Sequence, residues 1–250
     1  MLAVFDKSVA QCPEDLKTSS PDDVYALKDG ILAKYFGSLH ENAMTINLGS
    51  PGFVGYSNDK QNPLIPRLIA VVDNIVCLFL GHLENLATLK QQYRMSKSDN
   101  EVNIIIEAYR TLRDRGPYPI EQVIRDLQGK FAFILYDLAS KTSIFATDAD
   151  GSVPFFWGAD SDGHLVVSDD VEIVKKGCGK SFAPFPKGCF YTSSGGLRSY
   201  EHPGNALKPV PRVDSSGEVC GANFKVDSKA KKEPLGMPRV DSAADWSSNY

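Results

Sequence analysis

The sequence predicts an α+β domain: antiparallel sheets with helices packed outside them. Three observations carry that expectation. Short apolar runs in the second half come in pairs separated by turn residues, which is the pattern of consecutive hairpins. Amphipathic patterns of period 3.6 are segregated from those hairpins rather than alternating with them, which argues against a parallel sheet. The bulk composition is that of an ordinary globular chain, with 250 residues, 42% hydrophobic, 10% aromatic and 23% charged.

The elements follow in chain order. An apolar run at 2–5 begins at the second residue and stops at Asp6-Lys7, so a strand is expected unusually close to the chain start. Ser20-Pro21-Asp22-Asp23 supplies a capping residue, a first-turn proline and acids at the positive end of a helix. Val24, Leu27, Ile31 and Tyr35 then share one face, and Gly37 is the expected stop. Runs at 69–72 and 75–80 read as strands around an Asp73-Asn74 turn. Leu83, Leu86, Leu89 and Tyr93 give a short helix, and Val102, Ile105, Ile106, Tyr109 and Leu112 a stronger one that closes before Gly116-Pro117. A third helix is expected over 120–127, followed by hairpins 131–136/142–147, 153–157/164–168 and 189–192/197–200. Asp169 with Glu172 reads as a capping box for a helix that ends at Gly177.

These elements place one domain over residues 1–202. Beyond His202, Pro, Gly, Ser, Lys and Asp dominate, and 203–250 reads as an extended or disordered tail. The tail repeats Pro211-Arg-Val-Asp-Ser215 as Pro238-Arg-Val-Asp-Ser242. Arg212 and Arg239 each stand three residues before a serine, so Ser215 and Ser242 are candidate phosphorylation sites for basic-directed kinases.

Several function classes drop out. A net charge of −4 and a pI near 5.6 give no reason to expect nucleic acid or an anionic membrane as partner. The apolar run before Asp6 is too short for a secretory signal, and no run is long enough to insert in a bilayer. Five irregularly spaced cysteines read as reduced thiols of a cytoplasmic protein, with the nucleus as a second location. Gly179-Lys180-Ser181 lacks the leading glycine of a phosphate loop, because Val174 stands there. Asp148-Ala-Asp150-Gly151 and Asp160-Ser-Asp162-Gly163 lack the closing Glu of a calcium loop and read as turns. His40, His82, His164 and His202 stand alone, so no metal is expected.

The stretch LQGKFAFILYDLASKTSIFATDADGSVPFFWG, followed by GHLVVSDDVEIV and FAPFPKGCFYTSSGGLRSY, resembles the glutamine-hydrolysing domain of asparagine synthetase and other class II amidotransferases. The chain is identified more closely with the plant aluminium-induced proteins that carry YGL and LRDR motifs. Leu112-Arg-Asp-Arg115 is the second motif intact, and the first falls on Tyr93-Arg94-Met95, altered beyond its Tyr. The resemblance implies an N-terminal-nucleophile fold, a four-layer αββα sandwich. It also implies a cysteine nucleophile at the start of the first strand, with its own α-amine as base. Here Leu2 stands in that place, and an alkyl chain has no lone pair with which to attack a carbonyl. With Leu in second position, the initiator Met is expected to stay. The family's oxyanion Asn falls on Leu80, the adjacent Gly81 keeps a backbone N–H, and the following Glu falls on His82. The family's Arg-Gly-Pro region reads Asn47-Leu48-Gly49-Ser50-Pro51, without Arg; Arg115-Gly-Pro117 looks like the motif but lies elsewhere. Asp99 aligns with the acid that holds the substrate amino group, so Gly81 and Asp99 are what remains of a ligand-binding pocket.

The resemblance therefore leads to a catalytically inactive amidotransferase-like protein, induced by stress or starvation, that binds an unidentified protein or small molecule without a cofactor. The alternative is a hydrolase or amidotransferase of the same fold with a displaced nucleophile, for which Cys12 and Cys77 are the thiols to weigh. A synthetase is not expected, since that reaction needs a second, ATP-binding domain. Family analogy and the sheet edges favour a homodimer.

Overall fold

The computed structural model describes residues 1–17, 29–50, 52–59, 61–114, 119–213, 217 and 219–231. The helix start expected at Ser20-Pro21 lies outside these residues, as do Arg115, Gly116, Pro117, Ser215 and Ser242.

Strand β1 (Leu2–Phe5) leads through a 3-10 turn (Glu14–Leu16) to helix α1 (Asp29–Leu39) and strands β2 (Met44–Asn47), β3 (Gly52–Tyr56), β4 (Arg67–Val72) and β5 (Ile75–Leu83). Three helices follow, α2 (Leu86–Gln92), α3 (Glu101–Asp114) and α4 (Ile120–Arg125). The chain then forms β6 (Gly129–Asp137), β7 (Thr142–Thr147), β8 (Phe156–Ala159), β9 (Leu165–Ser168), helix α5 (Val171–Cys178), β10 (Phe182–Pro184), β11 (Cys189–Thr192) and β12 (Gly196–Ser199). A last pair, β13 (Asn205–Val213) and β14 (Val219–Lys231), closes the described fold.

The strands make two six-stranded antiparallel sheets, ordered β10-β8-β9-β1-β3-β2 and β12-β11-β7-β6-β5-β4. Alternation along each strand separates the faces. Val76, Leu78 and Leu80 of β5 join Phe5, Tyr136 and Trp157 between the sheets. Cys77 and Phe79 of the same strand face Val102, Ile105 and Tyr109 of α3. On the far side, Val4 and Val166 meet Leu32 and Phe36 of α1 and Ile173 of α5. This is a four-layer αββα sandwich with two antiparallel sheets, and β1 lies at its centre between β3 and β9.

Several expectations shift. The helix expected to stop at Gly37 runs to Leu39, and Leu83 ends β5 rather than opening a helix. Asp169 does not cap α5; the carboxylate of Asp170 accepts the Glu172 N–H at 2.8 Å and does so instead. The packed domain does not stop at His202. Residues 205–231 include a long hairpin that lies against β10 and β12, at one end of both sheets. Phe224 packs edge-on against Trp157 at 5.6 Å, while Cys220 and Ala222 are buried. Arg212 fastens the hairpin by donating to the carbonyls of Phe182 (2.8 Å) and Cys220 (3.0 Å) and stacking on the Phe182 ring at 4.2 Å. The outer residues of β13 are exposed, which is why the sequence there looks like a polar tail.

Candidate functional site

The start of β1 is where the chemistry of the resembling enzymes would lie. Because strand neighbours point to opposite faces, Leu2 and Val4 turn toward the α1/α5 layer. Met1, Ala3 and Phe5 turn into the inter-sheet core with Leu48 and Leu80. Leu2 is fully buried, on the opposite side of its sheet from Leu80. The residue that shares a core with Leu80 is Met1.

The Met1 α-amine is buried and sits 2.5 Å from Asp169 Oδ1, and the two side chains are 1% and 2% exposed. Arg67 Nε reaches the other oxygen, Oδ2, at 2.6 Å, and its Nη1 donates to the Asp59 carbonyl at 3.3 Å. Ser168 Oγ donates to the Met1 carbonyl at 2.8 Å. The cluster extends outward to His40, which packs on Phe36 at 4.8 Å and lies 4.0 Å from Asp59. Asp59 in turn accepts from both the backbone and the side-chain amide of Asn42. Burial pulls the Met1 amine below its ordinary value of 8.0, while the charge of Asp169 and its hydrogen bond pull the other way. His40 is also lowered, first by burial and then by the positive charges of the Met1 amine and Arg67.

This geometry couples an amine, a carboxylate and a guanidinium, and neither Met1 nor Leu2 carries a thiol or hydroxyl. The thioether of Met1 and the alkyl chain of Leu2 cannot form an acyl intermediate. Ser168 spends its proton on Met1 and its oxygen on the Asp170 N–H at 3.1 Å. Leu80 is 3% exposed and packs in the apolar inter-sheet core. The Gly81 N–H donates to the Pro66 carbonyl at 2.9 Å, so it is already engaged. Gly81 itself has φ +107°, and a Cβ there would lie 1.9 Å from the Lys130 carbonyl oxygen; backbone packing alone therefore requires glycine.

Asp99 lies on the outer helical flank. Its carboxylate accepts the Ser96 N–H at 2.8 Å and the Asn103 side-chain amide at 3.4 Å, and Asn100 caps α3 by accepting the Asn103 N–H at 3.2 Å. Among the described residues, no hydrogen bond or ion pair joins Asp99 to Met1, Leu80 or Gly81.

The other candidates resolve as follows. Cys12 is buried, and burial pushes it up to about 12. Cys77 is pushed further up by complete burial, and Cys189 rises to about 12 for the same reason. Among the described residues, Asp160, Asp162 and His164 bring ligand atoms within 4.8 Å of one another. Asp160 is occupied, however: Oδ1 accepts the Asp162 and His164 N–H groups at 2.9 and 2.7 Å, and Oδ2 faces His164 Nδ1 at 2.9 Å. A cavity of about 660 Å³ is lined by Lys7, Gln11, Cys12, Lys17, Tyr191 and Ser193, among others, but by none of Met1, Leu2, Leu80 or Asp99. Sequence reading missed the Arg67–Asp169–Met1 cluster. The one available signal was the doubled acid Asp169-Asp170, only one of which a helix cap can use.

A family model described as aluminium induced protein matches residues 2–226. The chain belongs to the aluminium-induced protein family. The stem-specific protein TSJT1 of Nicotiana tabacum is 39% identical over 150 residues, which cover 58% of this chain and 99% of that protein. Asparagine synthetase B (glutamine-hydrolyzing) of Escherichia coli is 28% identical over 183 residues, covering 72% of this chain but 28% of the synthetase. A second glutamine-hydrolyzing asparagine synthetase, from Oryza sativa, is 34% identical over 166 residues, covering 66% and 26%. This aluminium-induced protein thus spans about a quarter of the synthetases it matches. Among solved structures, a glutamine phosphoribosylpyrophosphate amidotransferase from B. subtilis superposes with a TM-score of 0.43 at 17% identity, covering 59% of this chain and 34% of that one. Among the described residues, no helix is long and apolar enough to cross a membrane.

Proposed function

We propose that this aluminium-induced protein is a non-hydrolysing member of the amidotransferase fold. In this reading it is a stress- or starvation-induced plant protein of the cytoplasm and nucleus that works by binding a protein or small molecule. One observation carries the reading. The amine that would act as base is tied to Asp169 and Arg67, and the residue that follows it is a leucine facing away from the inter-sheet core. The closed surroundings agree with it: Leu80 fills the donor position and Gly81 gives its N–H to Pro66. A displaced nucleophile gains no support from the thiols, all five of which are buried. Five free cysteines suit a reducing compartment.

The test is glutamine turnover by the purified full chain, read as glutamate released, together with its intact mass. Glutamate no higher than a blank, with Met1 retained, is the expected result. Turnover that survives repurification, or a mass lacking Met1, overturns the reading.

A further inference from the structure

In the outer helical layer, the end of α2 faces α3 and α4 across a groove of about 420 Å³. Tyr93 and Arg94 form one wall, and the face of α3 that carries Glu107 forms the other. Ala108, Leu112 and Val123 make the floor. The same three residues close over a small apolar void against Ile105 and Ile124, so the floor is continuous with the core beneath α3.

The charges around this groove do not balance. Glu107 has a partner in Arg110, at 3.5 Å. Among the described residues, no hydrogen bond or ion pair engages the Arg94 guanidinium, so one positive charge is left beside an apolar floor. The 660 Å³ cavity, by contrast, sets Lys7 and Lys17 against Glu14 and Asp162, and its lining has no net sign.

The backbone of Arg94 is strained as well. It stands just past α2 at φ +54°, a conformation open to glycine and unfavourable for a side chain. Asp73 and Lys141 share that conformation, but they lie in exposed hairpin turns, whereas Arg94 lines a groove. A strained residue on a concave surface points to a binding role. The glycine of the Tyr-Gly-Leu motif falls at this position, so the guanidinium is this chain's own feature. The two segments that the resemblance singles out also meet here, through Tyr93 and Leu112, although most of α3 separates them in sequence.

We propose that this groove binds a small organic acid with an apolar body, its carboxylate on Arg94 and its hydrocarbon on Ala108, Leu112 and Val123. The planar guanidinium offers paired donors that match a carboxylate. The volume lies within the range of about 300–1,000 Å³ that small-molecule sites occupy. This gives the binding reading above a place and a ligand class. The groove lies on the α3 side of its sheet, whereas Met1 lies in the inter-sheet core, so acid binding and glutamine turnover succeed or fail independently.

Titration of the full chain with hydrocinnamate and with octanoate, followed by backbone amide NMR and calorimetry, tests the proposal. Saturable shifts are expected at Tyr93, Arg94, Ala108 and Leu112. Acetate, which lacks the body, and hydrocinnamamide, which lacks the charge, each bind at least about tenfold more weakly than hydrocinnamate, and for the amide this is the size of one lost charge-assisted hydrogen bond. Arg94→Met keeps the β-carbon and an unbranched side chain, and it loses at least about tenfold in affinity with its melting temperature unchanged. Arg94→Gly loses the same affinity while melting higher, which separates binding from stability. Lys7→Met, in the larger cavity, binds as the natural chain does. Failure of both acids to bind at millimolar concentration, shifts centred on the 660 Å³ cavity, acetate or amide binding equal to that of hydrocinnamate, or full affinity in Arg94→Met overturns the proposal.

Discussion

Two buried carboxylates hold this fold at different places, and they are compensated differently. Asp169 at the mouth of the sandwich and Asp137 at the end of β6 have side chains 2% and 0% exposed. Each meets an arginine, Arg67 at 2.6 Å and Arg113 at 3.1 Å. Asp137 also receives the Tyr109 hydroxyl at 2.8 Å and the N–H groups of Ala139 and Ser140 at 2.9 and 3.3 Å. Most of its compensation is therefore neutral and built into its own turn. Asp169 receives two positive charges, one from the chain start and one from β4. The difference separates a carboxylate tied mostly by neutral donors from one tied by charged groups. The first arginine of the LRDR motif is a strut between α3 and the β6–β7 turn, whereas the Asp169 cluster joins the chain start to β4.

The largest effect that tests this contrast is on stability. Removing one member of a buried charged cluster strands the others, so Asp169→Ala is expected to cost about 3 kcal/mol, toward the low end because Arg67 keeps an outlet to water. Asp137→Ala leaves mostly neutral donors unsatisfied and is expected to cost about 1–2 kcal/mol. Urea denaturation of both variants decides the order. Equal or inverted costs would show that charge at the mouth is not what distinguishes the two sites.

An acid titration sharpens the comparison at the flank. Burial alone would raise the Asp137 carboxyl, but hydrogen bonds from Tyr109, Ala139, Arg113 and Ser140 outweigh it and hold the group below 3.8. The folded state then binds fewer protons than the unfolded chain. This stabilisation is complete above the unfolded value and is lost as pH falls through the folded one. Arg113→Met removes one of those donors and brings the two values closer. Its destabilisation is therefore expected to be largest near neutrality and to shrink below about pH 4. A cost that stays constant from neutrality into acid would mean that Arg113 acts only through packing on Tyr109, over whose ring it lies at 5.9 Å.

What was legible in the sequence follows the same division. The hairpins from β6 to β12 announced themselves because buried alternation and Asp- or Gly-containing turns coincide there. Strands β2 and β3 did not, because Met-Thr-Ile-Asn is a short, mostly exposed edge and Gly-Phe-Val-Gly-Tyr is broken by two glycines. The β13–β14 hairpin was hidden by its one-sided burial: its inward residues are few, and Pro209 and Pro211 in β13 read as breakers although the strand forms. At the site, Leu80 and Gly81 could be picked out by resemblance, but not that Leu80 lies in the inter-sheet core or that the Gly81 N–H is bonded to Pro66. The facing of Leu2 could not, because it depends on which side of β1 meets the second sheet. Asp169 was misread for a related reason: two adjacent acids before a helix look alike until one of them turns inward.

The smallest expected effect concerns the altered motif on the flank. Helix α2 ends with Tyr93 as its C-cap and Arg94 beyond it at φ +54°. Arg94 N–H bonds to the Gln91 carbonyl at 3.3 Å and Met95 N–H to the Lys90 carbonyl at 2.8 Å, which is the pair of bonds of a Schellman ending. That ending asks for glycine at the left-handed position, and the glycine of the family's Tyr-Gly-Leu motif falls there. A side chain in this conformation costs about 1–2 kcal/mol, while glycine gives back about 0.4–1 kcal/mol through the freer unfolded chain. Arg94→Gly is therefore expected to stabilise the protein by about 0.5–1 kcal/mol, visible as a higher melting temperature. Arg94→Ala is the discriminating control, because alanine removes the charge and the long side chain but keeps the β-carbon that causes the strain. Stabilisation by glycine with little change for alanine assigns the effect to the backbone. Equal gains from both would assign it to the arginine side chain in the groove it shares with Glu107 and Leu112. A loss with glycine would mean that Arg94 makes contacts there worth more than the strain it carries. The flank would then have exchanged a backbone requirement for a side-chain one.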